Sequence, residues 1–576
     1  MADNSPGQER IGGGDDGMIL REAVRSIAEG LDVPNLAARI LYGRGIVGPE
    51  EARRLLNPKL EHLSDPFLLP DMERGVERII SAVKSNEKLC LYGDYDADGV
   101  TSVALMVNFL KNVGLTPHVY LPQRTEGYGL NIDAVKRLSE QGISLLVCLD
   151  CGSADIEEVA EATRHSMDTI IIDHHEVSEA RPPALAFINP KRADSRFPTR
   201  ELAACGVTFF FLLALRRTMH HQGLLNRQIN LKKELDLVTV GTIGDMAPLV
   251  DDNRVMVKFG METMKKNPRT WLRSFFTERI IYKDTIDEYA MNFVIVPRIN
   301  AAGRVSDARH ALDFLTCEDE RDAAIMLRGL HEINRKRQRI EEGTVREIIE
   351  IMEKENLAHK KSIVLFNKDW HIGVIGIVAQ KLVDMFGKPS IILTEAGSHL
   401  KGSGRGGEGI DLYRTISSLA PLLLGYGGHK YACGVSLTKD NFLPFAQAFE
   451  ERVTAPVSRR EKKVRVDAVA GFEELTIDLL RFMERLSPFG MGNPRPNLLL
   501  PSSSVSATDR LVRITDTSNR TWYGSFQGQR LTAHDRPARI VASPVLRKQM
   551  GEQFIHLNIK EILPLDEAAP SRPRTG

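Results

Sequence analysis

From residue 88 to residue 173, short apolar runs alternate with amphipathic stretches, and three of those runs end on an aspartate. The pattern predicts strands over 88–93, 118–121, 143–150 and 169–173, with helices over 100–113, 131–141 and 154–165. Strands that alternate with helices of about 10–15 residues imply a mainly parallel sheet covered on both faces. Ligands of such sheets bind beyond the carboxyl ends of the strands. Asp94, Asp150 and Asp173 all fall there.

The 576 residues are too many for one ordinary core, so two to four domains are expected. A polar, Gly-rich arm (1–17) precedes a helical lead-in (18–70), and the alternating α/β domain occupies 71–318. A long charged helix within 319–360 connects it to a second α/β unit over 361–455. Short β-like runs over 456–566 suit a small OB-like barrel, and 567–576 reads as a disordered tail.

Lys+Arg and Asp+Glu both number 76, so no global field announces a nucleic-acid partner. Such a partner would have to be held by local grooves. No apolar run approaches the ~20 residues of a membrane helix. The richest, 207–215, contains Thr208 and stops at Arg216-Arg217. The N-terminus lacks a basic-then-apolar signal pattern. Six scattered cysteines form no disulfide framework, which points to a reducing cytoplasm.

The strongest local signal is LYGDYDADGVTS, with Asp94, Asp96 and Asp98 on alternate positions before a helix. Alone, such a run reads as well as a solvated loop. It is followed by LDCGS (Asp150), IIDHHE (Asp173, His174, His175) and GTIGDMAPL (Asp245). Unpaired carboxylates at apolar strand ends are costly unless a cation compensates them. Several converging aspartates with one or two histidines suit two divalent ions, Mn²⁺ or Mg²⁺. Such a pair, about 4 Å apart, binds phosphate, activates water and steadies a leaving oxygen. The chemistry is phosphoester hydrolysis.

In order and spacing these motifs resemble the DHH phosphoesterase superfamily. PQRTEGYGLN, PRINAAGR, WHIGVIGIVAQKL, GSGRG, GYGGHKYACG and PFGMGNPRP extend the resemblance to its RecJ family, arm and tail excepted. The resemblance implies a 5′→3′ exonuclease specific for single-stranded DNA, acting in recombination and repair. It implies Asp96, Asp98, Asp150, His174 and Asp245 as ligands of two metals, with Asp94 and His175 beside the site or the attacked phosphate. Tyr92 stands where some relatives carry a histidine ligand, so the coordination of one metal is open. On the substrate side it implies Arg124, Arg298, Arg304, His371, Ser403, Arg405 and His429. The partners it implies are a helicase and a single-strand-binding protein, and the chain is expected to be a monomer. Two rivals remain: a DHH enzyme of short oligonucleotides, cyclic dinucleotides or pyrophosphate, and a catalytically dead replication scaffold. The former are typically shorter, and the latter lose metal ligands.

Other features have blander readings. Cys148-x-x-Cys151 lies across a buried strand end without a second pair, which favours structural cysteines. Gly402-x-Gly404-x-x-Gly407 matches a dinucleotide fingerprint, but it stands in the second α/β unit where RecJ-like proteins have a phosphate-binding loop, and that resemblance implies backbone N–H groups that hold DNA phosphate rather than NAD. Arg335–Arg339 reads equally as a solvated helix face or a DNA contact, and Trp522, Tyr523 and Phe526 as core or as base-stacking platforms.

Overall fold

The computed structural model describes residues 15–225, 227–407, 409–453, 464–502, 504–508, 511–526, 537–549 and 552–564. The expected tail, and the arm as far as residue 14, lie outside them; residues 15–17 open a helix, Asp15–Leu31. The chain divides into two compact units, one of residues 1–59 with 461–576 and one of residues 60–460.

The larger unit begins with a five-stranded sheet: β1 (Leu89–Gly93), β2 (His118–Tyr120), β3 (Leu145–Leu149), β4 (Asp168–Ile172) and β5 (Ala186–Ile188). Their order is β2-β1-β3-β4-β5 and every neighbouring pair is parallel. The apolar runs became strands because β1 and β3 are buried at every position, as a sheet covered on both faces demands. Helices Ala97–Asn112, Ala204–His221 and Leu235–Gly244 bury most of their surface in one core with the sheet.

The long helix, Glu320–Lys354, starts at Asp319, whose side chain accepts from the Arg321 and Asp322 amides. Beyond it lies a mixed sheet of β6 (Ile363–Phe366), β7 (Ser390–Ala396), β8 (His399–Arg405), β9 (Gly425–His429) and β10 (Ala432–Leu437). Its order is β6-β7-β8-β10-β9, with only β6 and β7 parallel. The GSGRG segment is therefore not a loop, which corrects the expectation from its glycines. Gly402 to Arg405 pair with β7 on one side and β10 on the other, so the backbone groups serve the sheet. A Cβ on Gly404 would stand 2.7 Å from Cys433 Sγ, and one on Gly402 2.8 Å from Leu393 Cγ. The glycines face the packed side; Ser403 and Arg405 alternate to the other.

In the smaller unit, β11 (Ala468–Val469), β12 (Leu498–Ser502), β13 (Ser504–Thr508), β14 (Leu511–Thr515), β15 (Thr521–Phe526), β16 (Ala538–Gln549) and β17 (Glu552–Pro564) form one sheet. The order is β11-β12-β16-β17-β15-β14-β13. Helices Asp15–Leu31, Asn35–Gly43 and Pro49–Leu56, which the sequence sets apart as a lead-in, share its core: Ile27, Ile40 and Leu41 cluster with Leu479, Leu498 and Ile540. Arg44 and Asp467 form a nearly buried ion pair at 3.2 Å across that junction. Trp522 and Phe526 pack against this core, whereas Tyr523 is exposed.

Candidate metal centre and guanidinium cluster

Asp96 caps the helix Ala97–Asn112, its Oδ1 accepting from the Asp98 and Gly99 amides at 2.9 and 3.2 Å. Asp98, the second residue of that helix, is buried and receives the Ala204 and Cys205 amides at 2.6 and 2.8 Å, the open N–H groups at the start of the helix Ala204–His221. Asp150 follows β3 with φ +65, a left-handed backbone uncommon for a non-glycine residue. Asp245 ends the helix Leu235–Gly244. Three separate elements thus aim carboxylates at one place.

His174 is the hub. Its Nε2 lies 3.3 Å from Asp150 Oδ1 and 3.8 Å from Asp98 Oδ2, and its Nδ1 lies 3.8 Å from Asp245 Oδ2. His175 turns to Asp173 Oδ1 at 2.7 Å and to the Tyr128 hydroxyl at 3.0 Å. Asp173 also accepts from the Ser153 and His174 amides. Potential donor atoms form three overlapping groups: Asp94, Asp96 and Asp150; Asp98, His174 and Asp245; Asp150, Asp173, His174 and His175.

The electrostatics show what these groups lack. Burial, then Asp96, pushes the Asp94 carboxyl up to about 8. Burial, then Asp98 and Asp96, does the same to Asp245, also to about 8. Burial and the charge of Asp98 drive Asp150 well above the carboxylate range. Asp94 Oδ1 and Asp150 Oδ1 are buried and find no hydrogen-bond donor among the described residues. Asp173 is the exception: burial works to raise it, but His175 and His174 hold it below the usual range. Converging unpaired carboxylates with an imidazole are the donor set of divalent cations, so these residues fit such ions. Tyr92 is directed elsewhere: its hydroxyl donates to the Gly129 carbonyl at 3.1 Å and its ring stacks on Tyr120.

A second cluster carries the opposite charge. Arg124 lies over the Tyr95 ring and donates to the Gly303 carbonyl at 3.0 Å. Arg304 ends the helix Val296–Val305 and reaches the Gly373 carbonyl at 3.4 Å. Burial, then the neighbouring charge of Arg124, holds Arg304 below the ordinary arginine range; Arg337 and Arg405 add to this and Asp96 opposes it. Arg405 donates to Ser403 Oγ at 3.1 Å, beneath Gly376 of the helix Ile375–Phe386. His371 Nδ1 accepts from the Gly373 amide at 3.0 Å. Exposed His429 is lowered by burial of its ring, by Arg405 and more weakly by Lys191. Arg298 is directed away from this cluster, donating to the Val294 carbonyl at 2.6 Å and facing His331 Nδ1 at 2.9 Å.

Three features noted in the sequence without a settled role at the site take definite places here. Asn300 Oδ1 accepts from the Ala97 amide at 2.7 Å and ties PRINAAGR to the first aspartate motif. Arg337, inside a run that reads equally as solvated, joins the guanidinium cluster while pairing with Glu341 at 2.7 Å. Cys148 and Cys151 are buried free thiols.

Three family models match in chain order: the DHH family N-terminal domain over residues 88–242, the DHHA1 domain over 359–455 and the RecJ OB domain over 466–561. The single-stranded-DNA-specific exonuclease RecJ of Bacillus subtilis is 34% identical over 488 residues, 84% of this chain and 61% of the relative. The chain therefore spans about three fifths of that protein. The Escherichia coli RecJ is 32% identical over 482 residues, 81% of this chain and 83% of its own. The crystal structure of Thermus thermophilus RecJ with Mn²⁺ superposes with a TM-score of 0.80 at 26% identity, covering 95% of this chain and 78% of that one. With three domain models in order and a relative matched over most of both lengths, this chain belongs to the RecJ family of the DHH superfamily.

Proposed function

We propose that this chain is a metal-dependent exonuclease that hydrolyses single-stranded DNA from its 5′ end. The observation that carries the reading is the meeting of two opposed clusters. Buried carboxylates with unpartnered oxygens at Asp94 and Asp150 adjoin a like-charged group of Arg124, Arg304 and Arg405, linked through Asp96 and Arg304. Each cluster is unfavourable alone; a phosphodiester bound with cations satisfies both.

Asp96, Asp98, Asp150, His174 and Asp245 would hold two divalent cations, Mn²⁺ or Mg²⁺, with Asp94 adjacent. Such ions neutralise phosphate charge and activate water. Burial lowers His175, but Asp173 outweighs it and raises the imidazole to about 9, and this residue would lie beside the attacked phosphate. Asp173 and Tyr128 fix its ring. Arg124 and Arg304 offer planar forks to backbone phosphates. Ser403 and Arg405 form the pocket for the terminal 5′ phosphate, with His371 and His429 on the same side, and that pocket sets the polarity. The naming of the relatives as single-stranded-DNA-specific exonucleases, and the Mn²⁺ in the Thermus structure, support this choice. Among the described residues no helix is long and apolar enough to cross a membrane. A cytoplasmic role in recombination and repair, beside a helicase and a single-strand-binding protein, belongs to the same proposal.

The test is digestion of end-labelled single- and double-stranded DNA with Mn²⁺, Mg²⁺ or EDTA. Release of 5′ label from single strands alone, abolished by EDTA, is expected. Cleavage of duplex at an equal rate, or activity in EDTA, would overturn it.

A further inference from the structure

The helix Ala204–His221 has different surroundings at its two ends. Its first amides hold Asp98. Its last turn, about 25 Å away at 1.5 Å per residue, lines a cavity of about 1240 Å³. The segment Leu60–Pro66 forms another part of the lining, and Phe209, Leu213, Leu231 and Leu235 supply its apolar part. Arg216, Arg217, Arg227 and Lys232 supply cations, beside His220 and His221.

Only one of those four cations has an acidic partner among the described residues: Arg217 lies 3.6 Å from Asp65. Arg216 donates to the Ile229 carbonyl at 3.2 Å, and its burial lowers its proton affinity with no carboxylate to restore it. Arg227 donates to the neutral Asn112 side chain, and Lys232 lies over the Phe259 ring. Three cations around apolar side chains call for an anion that also carries apolar surface.

We propose that this cavity is a docking site for an acidic peptide segment bearing an apolar side chain. Its volume exceeds the roughly 300–1,000 Å³ typical of a small-molecule site. Glu61 and Asp65 in the lining oppose a continuous polyanion such as a DNA strand, whereas a peptide can place its carboxylates selectively. Guanidinium forks at Arg216 and Arg227 match carboxylates, and the apolar side chains take the anchor residue.

The probe is a fluorescein-labelled decapeptide of alternating aspartate and leucine, titrated by anisotropy into the full chain in EDTA. Saturable binding is expected, weakened at least about tenfold by Arg227→Glu with Lys232→Glu. Both side chains are exposed, so the melting temperature should hold. Leu225→Glu, at the partly buried edge, should weaken it independently, and Arg405→Ala should not. Unchanged affinity in the double variant overturns the site. Equal binding of an all-aspartate decapeptide overturns the apolar anchor. Displacement by a single-stranded oligonucleotide in Arg405→Ala protein would make this a nucleic-acid surface instead. None of these outcomes depends on the nuclease reading.

Discussion

Asp98 and Cys205, 107 positions apart, are joined by a 2.8 Å hydrogen bond from the Cys205 amide to Asp98 Oδ1. Ala204 adds a second at 2.6 Å to Oδ2. The carboxylate thereby satisfies two helix-end donors while facing His174. Asp98→Asn turns an N–H toward one of those amides. It should lower stability in EDTA by about 1–3 kcal/mol, read as a fall in melting temperature; an unchanged melt would refute the structural half of this role.

Asp150 behaves oppositely. Its Oδ1 has no donor, and its carboxyl is already destabilised by burial and neighbouring acids. Asp150→Ala should leave the EDTA melt unchanged or raised. It should remove the Mn²⁺-induced rise that ligand binding to the native state produces, and abolish cleavage. Activity above about 1% of wild type at saturating Mn²⁺ would sink its assignment as a metal ligand.

Gly303 carries the PRINAAGR motif against the first aspartate motif. A Cβ there would stand 2.0 Å from the Tyr95 carbonyl oxygen, between Asp94 and Asp96. Gly303→Ala must displace the Tyr95 backbone or its own helix, at about 1–3 kcal/mol. Cleavage should fall more than the melt predicts, because the displaced segment carries Asp94 and Asp96. Equal kcat at an altered melting temperature would contradict that.

Much of this centre was legible because its aspartates sit where apolar runs end, and in a parallel sheet those ends converge. Tyr128 and Asn300 stood in motifs, but their hydroxyl and amide partners come from distant segments. β5, three residues long, is too short for periodicity to reveal. The glycines of GSGRG mimicked a phosphate loop because alternation of glycine with Ser403 and Arg405 looks alike in a turn and in a tightly packed strand. The first helices showed an apolar face, but an amphipathic pattern says that something covers it, not which segment. Here it is the β-rich module more than 400 residues later.

That partnership changes how the β-rich module must be removed. A chain ending near Ala455 would strip the cover from Ile27, Ile40 and Leu41 and expose them. It should aggregate or lose residues 15–59 to protease. A chain of residues 60–455 should instead melt cooperatively, retain metal-dependent cleavage and bind long strands more weakly. Each lost phosphate contact should flatten the slope of log K against log salt by about 0.7. Unchanged affinity and slope would exclude the β-rich module from the DNA path.

Polarity is to be tested at Arg405. An exonuclease needs a stop that keeps the strand from sliding past the site of cleavage. Because β8 commits its backbone to β7 and β10, a stop at this strand would have to come from side chains: Ser403 Oγ and the Arg405 guanidinium, 3.1 Å apart, beside Gly376 in the first turn of the helix Ile375–Phe386. Burial and the charge of nearby Arg124 already disfavour this guanidinium, so an anion there is favoured. A 5′-phosphorylated strand should be cut faster than a 5′-hydroxyl strand. Arg405→Ala should shrink that ratio, and Arg405→Lys should recover little, since a point charge cannot reproduce a planar fork. Initial rates on the two strands for the three proteins decide it. An unchanged ratio moves the terminal-phosphate pocket to Arg124 and Arg304, and release of 3′ label first overturns the polarity itself.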